Sequence, residues 1–351
     1  MNVHSKFARF EPNAPIAVRK SINLALQGGG SHSAFTWGVL DRLLEDQRLT
    51  FEGITATSSG SVNAVLLADG LALGGRQAAR HLLGVFWKKL SDRASAGIVT
   101  ASIIDRVSPG FGLEYSPGYL LVSLLSHFMS PYQFNPFDIN PLRDLLNEVI
   151  DFDRVRQQTM VKLFLSATNV RNGKVVVFTN NEITAEHVLA SACLPFRMRA
   201  PEIGGEYYWG GGFTGNPAIF PVIYGCDSCD ILLVHLTPAE RAELPTSPQS
   251  IFNRIEEISF NGALMRELRV IAQVTKLIDE GQLRGPKRLF IHLIEAEDIT
   301  KNLAPSSKMN ADWRFLTHLF ELGRERADEW LAANFEQVGV ESTHDLQSRY
   351  L

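Results

Sequence analysis

Ser58 lies in a sequence that is typical of a nucleophilic serine on a tight turn. The segment reads Ala56-Thr57-Ser58-Ser59-Gly60, after a predicted strand over 53–56 and before a predicted helix that ends near residue 71. Small residues are required around such a serine because the turn is strained and larger side chains would clash. The pattern predicts that the Ser58 hydroxyl stands at the carboxyl end of a sheet. Ser59 and Ser61 are rival nucleophiles, but the turn geometry favours Ser58.

A glycine loop precedes this turn, at the end of the previous predicted strand. Gly28, Gly29 and Gly30 follow a short apolar run over 22–27 and come before a predicted helix over 34–45. Glycine allows a positive φ and a close approach of backbone N–H groups to a ligand, and the following helix adds the positive end of its dipole. Such a loop can bind a phosphate or stabilise a developing oxyanion. Beside a nucleophilic serine it predicts an oxyanion hole, in which each donor contributes roughly 2.7–4 kcal/mol in the transition state.

A dinucleotide site is the competing interpretation of the same loop. The fingerprint Gly-x-Gly-x-x-Gly is matched at Gly28 and Gly30, but Ser33 replaces the third glycine. A dinucleotide fold also needs an acidic residue near the end of the second strand to bind the ribose. This sequence has the serine turn there instead, so nucleotide binding is disfavoured.

The elements that must position these two turns alternate between strand and helix. Strand, glycine loop, helix, strand, serine turn and helix follow one another within the first 70 residues, which predicts an α/β fold with a parallel sheet covered by helices. A hairpin is predicted around Arg171-Asn172-Gly173, and a late strand over 288–293 is expected to join the main sheet. We expect an N-terminal tail over 1–20, a catalytic domain over 21–245, and a helical C-terminal extension over 246–351 that contributes one strand.

An apolar and aromatic segment over 96–141 interrupts this alternation, and we expect it to be an insertion or a lid. Residues 119–129 are too few to span a bilayer. They can line an acyl pocket, because an enzyme that acts on insoluble substrates needs an apolar surface near its nucleophile, or they can form a core helix.

Composition excludes several classes of protein. The chain has 351 residues, with 34 Lys+Arg against 38 Asp+Glu, so no positive field predicts nucleic-acid binding. Three cysteines exclude a disulfide scaffold, and the N-terminus has no apolar stretch of the secretory type, so we expect a cytoplasmic protein. Cys226 and Cys229 have no second cysteine pair, and His235 and His292 fall on strands. All four are interpreted as structural residues. The oligomeric state stays open.

Four segments together make the sequence resemble the patatin-like phospholipase family. They are Leu24-Ala25-Leu26-Gln27-Gly28-Gly29-Gly30, Thr57-Ser58-Ser59-Gly60-Ser61-Val62-Asn63-Ala64, Ala190-Ser191-Ala192-Cys193-Leu194-Pro195 and Gly211-Gly212-Phe213-Thr214-Gly215-Asn216-Pro217. The resemblance implies a three-layer fold with a mostly parallel central sheet and helices on both faces. It implies hydrolysis of lipid acyl esters by a Ser–Asp dyad, with Ser58 as the nucleophile and the N–H groups of Gly28, Gly29 and Gly30 as the oxyanion hole. A lipid or acyl-ester substrate and peripheral membrane contact are implied, but no metal and no cofactor.

The second residue of that dyad is missing from its expected place. The family has an Asp-Gly-Gly motif here, whereas this segment reads Trp209-Gly210-Gly211-Gly212, so the Asp position is occupied by Gly210. Losing one triad member can cost roughly 10⁴ to 10⁶ in rate, while binding and the oxyanion hole still leave roughly 10³ over water.

Three interpretations of Gly210 stay open. The protein is a degenerate hydrolase that binds acyl lipids or a partner without efficient turnover, or Gly210 is a variant residue in an otherwise active enzyme, or another group replaces the Asp. His32, next to the glycine loop, is the candidate substitute base. The sequence thus predicts a serine acyl hydrolase acting through an acyl-Ser58 intermediate, with a non-catalytic acyl-lipid- or partner-binding protein as the alternative.

Overall fold

An eight-stranded, mostly parallel sheet forms the centre of the structure, a computed structural model that describes residues 19–108 and 110–351. The predicted tail over 1–20 therefore lies outside the described residues, apart from Arg19 and Lys20. The strands are β1 Lys20–Leu26, β2 Leu49–Thr57, β3 Lys162–Asn169, β4 Val175–Thr179, β5 Glu202–Ile203, β6 Glu206–Gly210, β7 Asp230–His235 and β8 Phe290–Glu295.

Helices of very different lengths connect these strands. They are α1 Ser33–Glu45, α2 Ser59–Ser95, α3 Ile103–Val107, α4 Pro117–Phe128, α5 Pro131–Phe134, α6 Pro141–Val149, α7 Phe152–Gln157, α8 Ala185–Ala192, α9 Phe220–Gly225, α10 Pro248–Asp279, α11 Glu297–Thr300, α12 Trp313–Asn334 and α13 Leu346–Tyr350. Among the described residues, no helix is long and apolar enough to cross a membrane.

The sheet is parallel in its middle and antiparallel near β3. β1 pairs in parallel with β2 and β7, β2 with β3, and β7 with β8. β4 and β6 pair with β3 in the antiparallel sense, and β5 with β6. The pairing of β3 with β4 confirms the predicted hairpin, and the pairing of β8 with β7 brings the C-terminal segment into the sheet.

Helices cover both faces of the sheet, as the alternation of strand residues requires. Leu24 and Leu26 of β1 pack in a core with α1, α2, α8 and α12, whereas Ala25 between them packs in a second core with α9 and α10. Successive strand residues point to opposite faces, so apolar residues at all three positions require cover on both sides. The predicted three-layer fold class is confirmed.

The C-terminal helix α12 packs closely on α1 through two glycines. A Cβ at Gly38 would lie 1.9 Å from the Phe320 carbonyl oxygen, and one at Gly323 would lie 2.0 Å from the Phe35 carbonyl oxygen. No other residue type allows the two backbones to approach this closely. The segment over 246–351 is thus bound to the first helix of the chain as well as to the sheet.

The apolar insertion forms α3, α4 and α5. From the sequence, the segment of α4 is expected either to line an acyl pocket or to be a core helix, and the structure places it on the surface. Leu120, Leu121, Leu124 and Phe128 of α4 are each more than half exposed, so α4 is not a core helix. Among the described side chains over 119–129, none lines the cavity that contains Ser58. The core-helix interpretation is wrong because the helix faces its apolar stripe outward. The acyl-pocket interpretation is not supported by the lining of this cavity.

Candidate active site

Ser58 occupies a strained turn between the end of β2 and the start of α2. Its φ of 56° and ψ of −127° lie in a region that side-chain-bearing residues rarely adopt. Such strain costs about 1–3 kcal/mol and persists where the surroundings enforce it. The Ser58 N–H donates to Ser191 Oγ at 2.9 Å, which anchors the turn. The Ser58 hydroxyl has no hydrogen-bond partner among the described residues, so it is available for chemistry.

The two rival serines are engaged in structural contacts. Ser59 Oγ accepts a hydrogen bond from the Gly29 N–H at 3.0 Å. Ser61 is fully buried, and its Oγ lies 2.9 Å from Ser191 Oγ. Of the three neighbouring hydroxyls, that of Ser58 is the one without a partner in the described structure.

The glycine loop lies directly against the serine turn because β1 and β2 are adjacent parallel strands. A Cβ at Gly28 would lie 2.6 Å from Ser58 Cβ, so the two segments touch at a point where only glycine fits. The Gly28 N–H donates to Asn216 Oδ1 at 2.8 Å, and the Gly29 N–H donates to Ser59 Oγ.

Gly30 has a φ of 61°, and its N–H donates to none of the described residues. Of the three predicted oxyanion donors, the Gly28 and Gly29 amides already have partners, and the Gly30 amide has none in the described structure.

A cavity of about 270 Å³ opens onto these two turns. Its walls are largely apolar, with Phe86, Trp87, Leu90, Phe213 and Phe260 among the lining residues. Such a cavity suits an alkyl or acyl chain, which gains free energy by leaving water.

Three charged side chains also line this cavity. Glu256 Oε2 lies 3.8 Å from Lys308 Nζ, and the third is Arg197. Burial lowers the pKa of Lys308, while the Glu256 and Glu257 carboxylates oppose that shift. Glu256 is the one carboxylate among the described residues that line this cavity.

Gly210 lies at the same edge of the sheet as Ser58. β2 and β4 pair with opposite edges of β3. β6 pairs with residues 167–169 on the same edge as β2, just beyond the last β2 pair at Thr57. Gly210 ends β6 and lines the cavity with Ser58. The structure thus brings the serine and the expected Asp position together.

The backbone near Gly210 occupies the space that a side chain at this position would need. The Gly210 N–H donates to the Cys193 carbonyl oxygen at 2.8 Å, and a Cβ at position 210 would lie 2.9 Å from the same oxygen. The φ of −53° is accessible to any residue, so the obstacle to a side chain is steric contact and not the backbone conformation.

His32 is not brought to Ser58. Its Nε2 lies 2.7 Å from Ser307 Oγ, and His32 does not line the Ser58 cavity. Burial, with the nearby charges of Lys308 and Arg241, lowers the pKa of His32 to about 3. A ring held this way is a poor proton acceptor at neutral pH. The hypothesis that His32 replaces the Asp is therefore not supported by its position.

Several residues at the site were not identified from the sequence. Asn216 and Ser191 belong to the motif segments, but no role was predicted for them, and here they bond to the Gly28 and Ser58 N–H groups. Arg197, Glu256 and Lys308 come from distant segments, and no sequence signal places them together.

A family model for patatin-like phospholipases matches residues 24–223, more than half of the 351-residue chain. The chain belongs to the patatin-like phospholipase family. This family typically hydrolyses lipid esters, which supports a lipid hydrolase in the broad sense. The matched segment contains the glycine loop, the serine turn and Gly210, the position of the expected Asp.

Several solved structures are similar to the chain. VipD from Legionella pneumophila is 15% identical over 90% of this chain and 68% of VipD, with a TM-score of 0.41. The type III effector ExoU is 14% identical over 93% of this chain and 55% of ExoU, with a TM-score of 0.37. A chain of the ExoU–SpcU complex from the type III secretion system of Pseudomonas aeruginosa is 13% identical over 92% of this chain and 53% of that chain, with a TM-score of 0.37. The chain spans about half the length of the ExoU chains that it matches. Among curated proteins, no match is found.

Proposed function

We propose that this protein is a serine acyl hydrolase that cleaves carboxylic esters of lipids through an acyl-Ser58 intermediate. The observation that carries the proposal is the Ser58 hydroxyl, which has no partner in the described structure and stands on a strained turn at the wall of an apolar cavity. Membership of the patatin-like phospholipase family supports the substrate class.

The chemistry follows from the groups around Ser58. Ser58 Oγ attacks the ester carbonyl carbon, and the negative charge that develops on the carbonyl oxygen is stabilised by the Gly30 N–H and by the N-terminal end of α2. The Ser58 proton passes to solvent water. Collapse of the tetrahedral intermediate breaks the bond to the alcohol oxygen, which takes a proton from water as the alcohol leaves. Water then attacks the acyl-serine and releases the fatty acid. Gly210 provides no base for the serine proton, so turnover is slow, by about 10⁴-fold if the loss resembles that of a triad Asp.

We propose that a set of exposed apolar side chains, called the collar here, contacts a membrane. Tyr119 at the start of α4 interacts with Arg197, which lines the cavity, so α4 begins near the cavity wall. The collar consists of Leu120, Leu121, Leu124 and Phe128 on α4, Ile251, Phe252, Ile255 and Ile258 on α10, and Phe196, all more than two-fifths exposed. Phe196 and Phe252 are in ring contact at 5.8 Å, and their neighbours Arg197 and Glu256 line the cavity. On this proposal, a lipid in the bilayer is held close to the cavity when the collar is bound. On this proposal the protein is cytoplasmic and associates with membranes peripherally.

Labelling with a fluorophosphonate tests the nucleophile directly. The folded protein is expected to react slowly, and peptide mapping should place the label on Ser58. Ser58→Ala should abolish labelling, and denatured wild-type protein should remain unlabelled. A label on Ser59 or Ser61, or no label on folded protein over prolonged exposure, would contradict the proposal. Saturable fatty-acid binding without labelling would instead indicate a protein that only binds acyl lipids.

A further inference from the structure

His235 has one ring nitrogen that is buried and unpartnered. The residue ends β7 and is 6% exposed, and its Nδ1 makes no hydrogen bond within the described structure. The sequence-based interpretation of His292 as a satisfied histidine agrees with its bonds to Thr343 and Asp230. For His235 that interpretation accounts for Nε2, which bonds to Asn261 Oδ1, but not for Nδ1. A buried polar atom without a partner is rare and calls for an explanation.

The surrounding hydrogen bonds determine which nitrogen of His235 carries the proton. Asn261 Nδ2 donates to the carbonyl oxygens of Thr237 and Pro238, at 3.2 and 3.0 Å, so Asn261 Oδ1 is the atom that faces His235. Asn261 Oδ1 accepts from Gln27 Nε2 at 3.1 Å and from His235 Nε2 at 3.3 Å. His235 Nε2 is therefore protonated, and Nδ1 presents a lone pair. A histidine that binds a metal typically donates its other ring N–H to a carbonyl group, which is the arrangement here.

Two carboxylates lie beside this histidine. Glu295 ends β8 and pairs in register with His235, and Glu297 begins α11. A ligand atom from each of the three residues lies within 4.8 Å of the other two. Glu297 Oε1 accepts from the N–H groups of Ala239 and Glu240, both at 3.1 Å, so this side chain is already positioned.

Arg349 supplies the cation that now balances the two carboxylates. Its guanidinium lies 3.4 Å from Glu295 Oε2 and 3.4 Å from Glu297 Oε2. Both distances exceed the usual range for a charged hydrogen bond, about 2.7–2.9 Å, so the contacts are weak. Arg349 belongs to the short terminal helix α13 and is one-third exposed, so it can move away without disturbing the core.

We propose that His235 Nδ1, Glu295 and Glu297 bind a divalent first-row transition-metal cation, which replaces the Arg349 guanidinium. One imidazole and two carboxylates suit Zn²⁺ or Mn²⁺ and leave a position for water. Bonds of about 2.0–2.2 Å to zinc require the ligand atoms to approach by about 1 Å. Glu295 can make this movement because its side chain is 43% exposed. None of the three residues lines the Ser58 cavity, so the site is independent of the proposed hydrolysis.

Calorimetric titration of the full chain with Zn²⁺ tests this proposal. Wild-type protein is expected to bind about one Zn²⁺, and Glu295→Gln is expected to bind it about tenfold or more weakly, because an anionic ligand is lost. Arg349→Ala should bind Zn²⁺ more tightly, because the competing cation is gone. Glu336→Gln, which changes a carboxylate that is 88% exposed, and Cys229→Ser, which removes a thiol, should both bind like wild type. Circular dichroism and the Tm without metal show whether each variant is folded.

Three results would overturn the site. They are the absence of Zn²⁺ binding by wild-type protein, equal affinity of folded Glu295→Gln and wild type, or loss of binding in Cys229→Ser. Fluorophosphonate labelling of Ser58 should be unaffected by Glu295→Gln, so failure of the metal proposal and failure of the proposed hydrolase are distinguishable.

Discussion

Restoring a carboxylate at position 210 is the sharpest test of how this site has departed from its family. Gly210 ends β6 at the sheet edge where Ser58 turns, and both residues line one cavity. Gly210→Asp supplies a proton acceptor where the family's dyad has one. If the loss of that acceptor is what limits the protein, the substitution should raise kcat/KM for an ester by about 10³- to 10⁴-fold.

The same substitution has a steric cost that the structure makes visible. Its Cβ would lie 2.9 Å from the Cys193 carbonyl oxygen and 3.2 Å from that of Ser191, so the backbone over 191–193 must shift. Overpacking of this kind costs about 1–3 kcal/mol, which a domain with about 5–15 kcal/mol of net stability tolerates. We expect a lowered Tm in every variant with a side chain at position 210, and a gain in activity only in Gly210→Asp.

The assay compares hydrolysis of a chromogenic acyl ester by wild-type protein and four variants. Gly210→Asn has nearly the same shape as Gly210→Asp but no carboxylate, and Gly210→Ala isolates the cost of the Cβ alone. Adding Ser58→Ala to Gly210→Asp should return the rate to background. Thermal unfolding of each variant separates loss of fold from loss of chemistry.

The result that would refute the reasoning is a Gly210→Asp protein that is folded yet no faster than Gly210→Asn. Since the two share the same steric strain, equal rates would mean that a carboxylate at this position does not activate Ser58. The missing base would then be the wrong explanation for slow turnover.

Two further predictions concern stability and membrane contact. Because the pKa of His32 falls from 6.5 to about 3 on folding, the unfolded state binds more protons below pH 6.5, and stability is lost as the pH falls. Urea unfolding at pH 6.5 and pH 5 should show about 1.5 kcal/mol less pH-dependent loss in His32→Gln than in wild type, whereas His81→Gln, at an exposed position, should behave like wild type. An equal loss in His32→Gln would contradict this assignment. For the collar, Leu124→Asp with Phe128→Asp should reduce co-flotation with phospholipid vesicles several-fold, because apolar area is lost from the bound face. Val340→Asp, at a 66% exposed apolar residue outside the collar, should bind like wild type. Equal flotation of wild type, Val340→Asp and the double variant would exclude the collar as the membrane contact.

The local elements around the site were predictable because short-range patterns specify them. The glycine loop, α1, the serine turn and the start of α2 lie within 45 residues, and the order strand, loop, helix follows from apolar periodicity and small turn residues. The absence of an Asp at position 210 is also visible in the sequence alone. The hairpin of β3 and β4 and the long helices α10 and α12 have the same kind of local signal.

Contacts between distant segments were not predictable in this way. The bond from His32 to Ser307 joins residues 275 positions apart, and the bond from Gly28 to Asn216 joins residues 188 apart. The outward face of α4 is a further example, since an amphipathic pattern shows that a helix has an apolar side but not what covers it. The lone pair of His235 depends on the orientation of Asn261, which no periodicity encodes.

The amino-acid sequence by itself determined where a serine turn and a glycine loop would stand, because tight turns restrict residue type within a few positions. It determined as well that the expected acid is absent. Only the tertiary structure decided which hydroxyl and which amide are free, because those properties depend on partners that packing brings from remote parts of the chain. The steric obstacle at Gly210 was likewise decided by the tertiary structure. The Cys193 carbonyl reaches Gly210 only because α8 packs against β6.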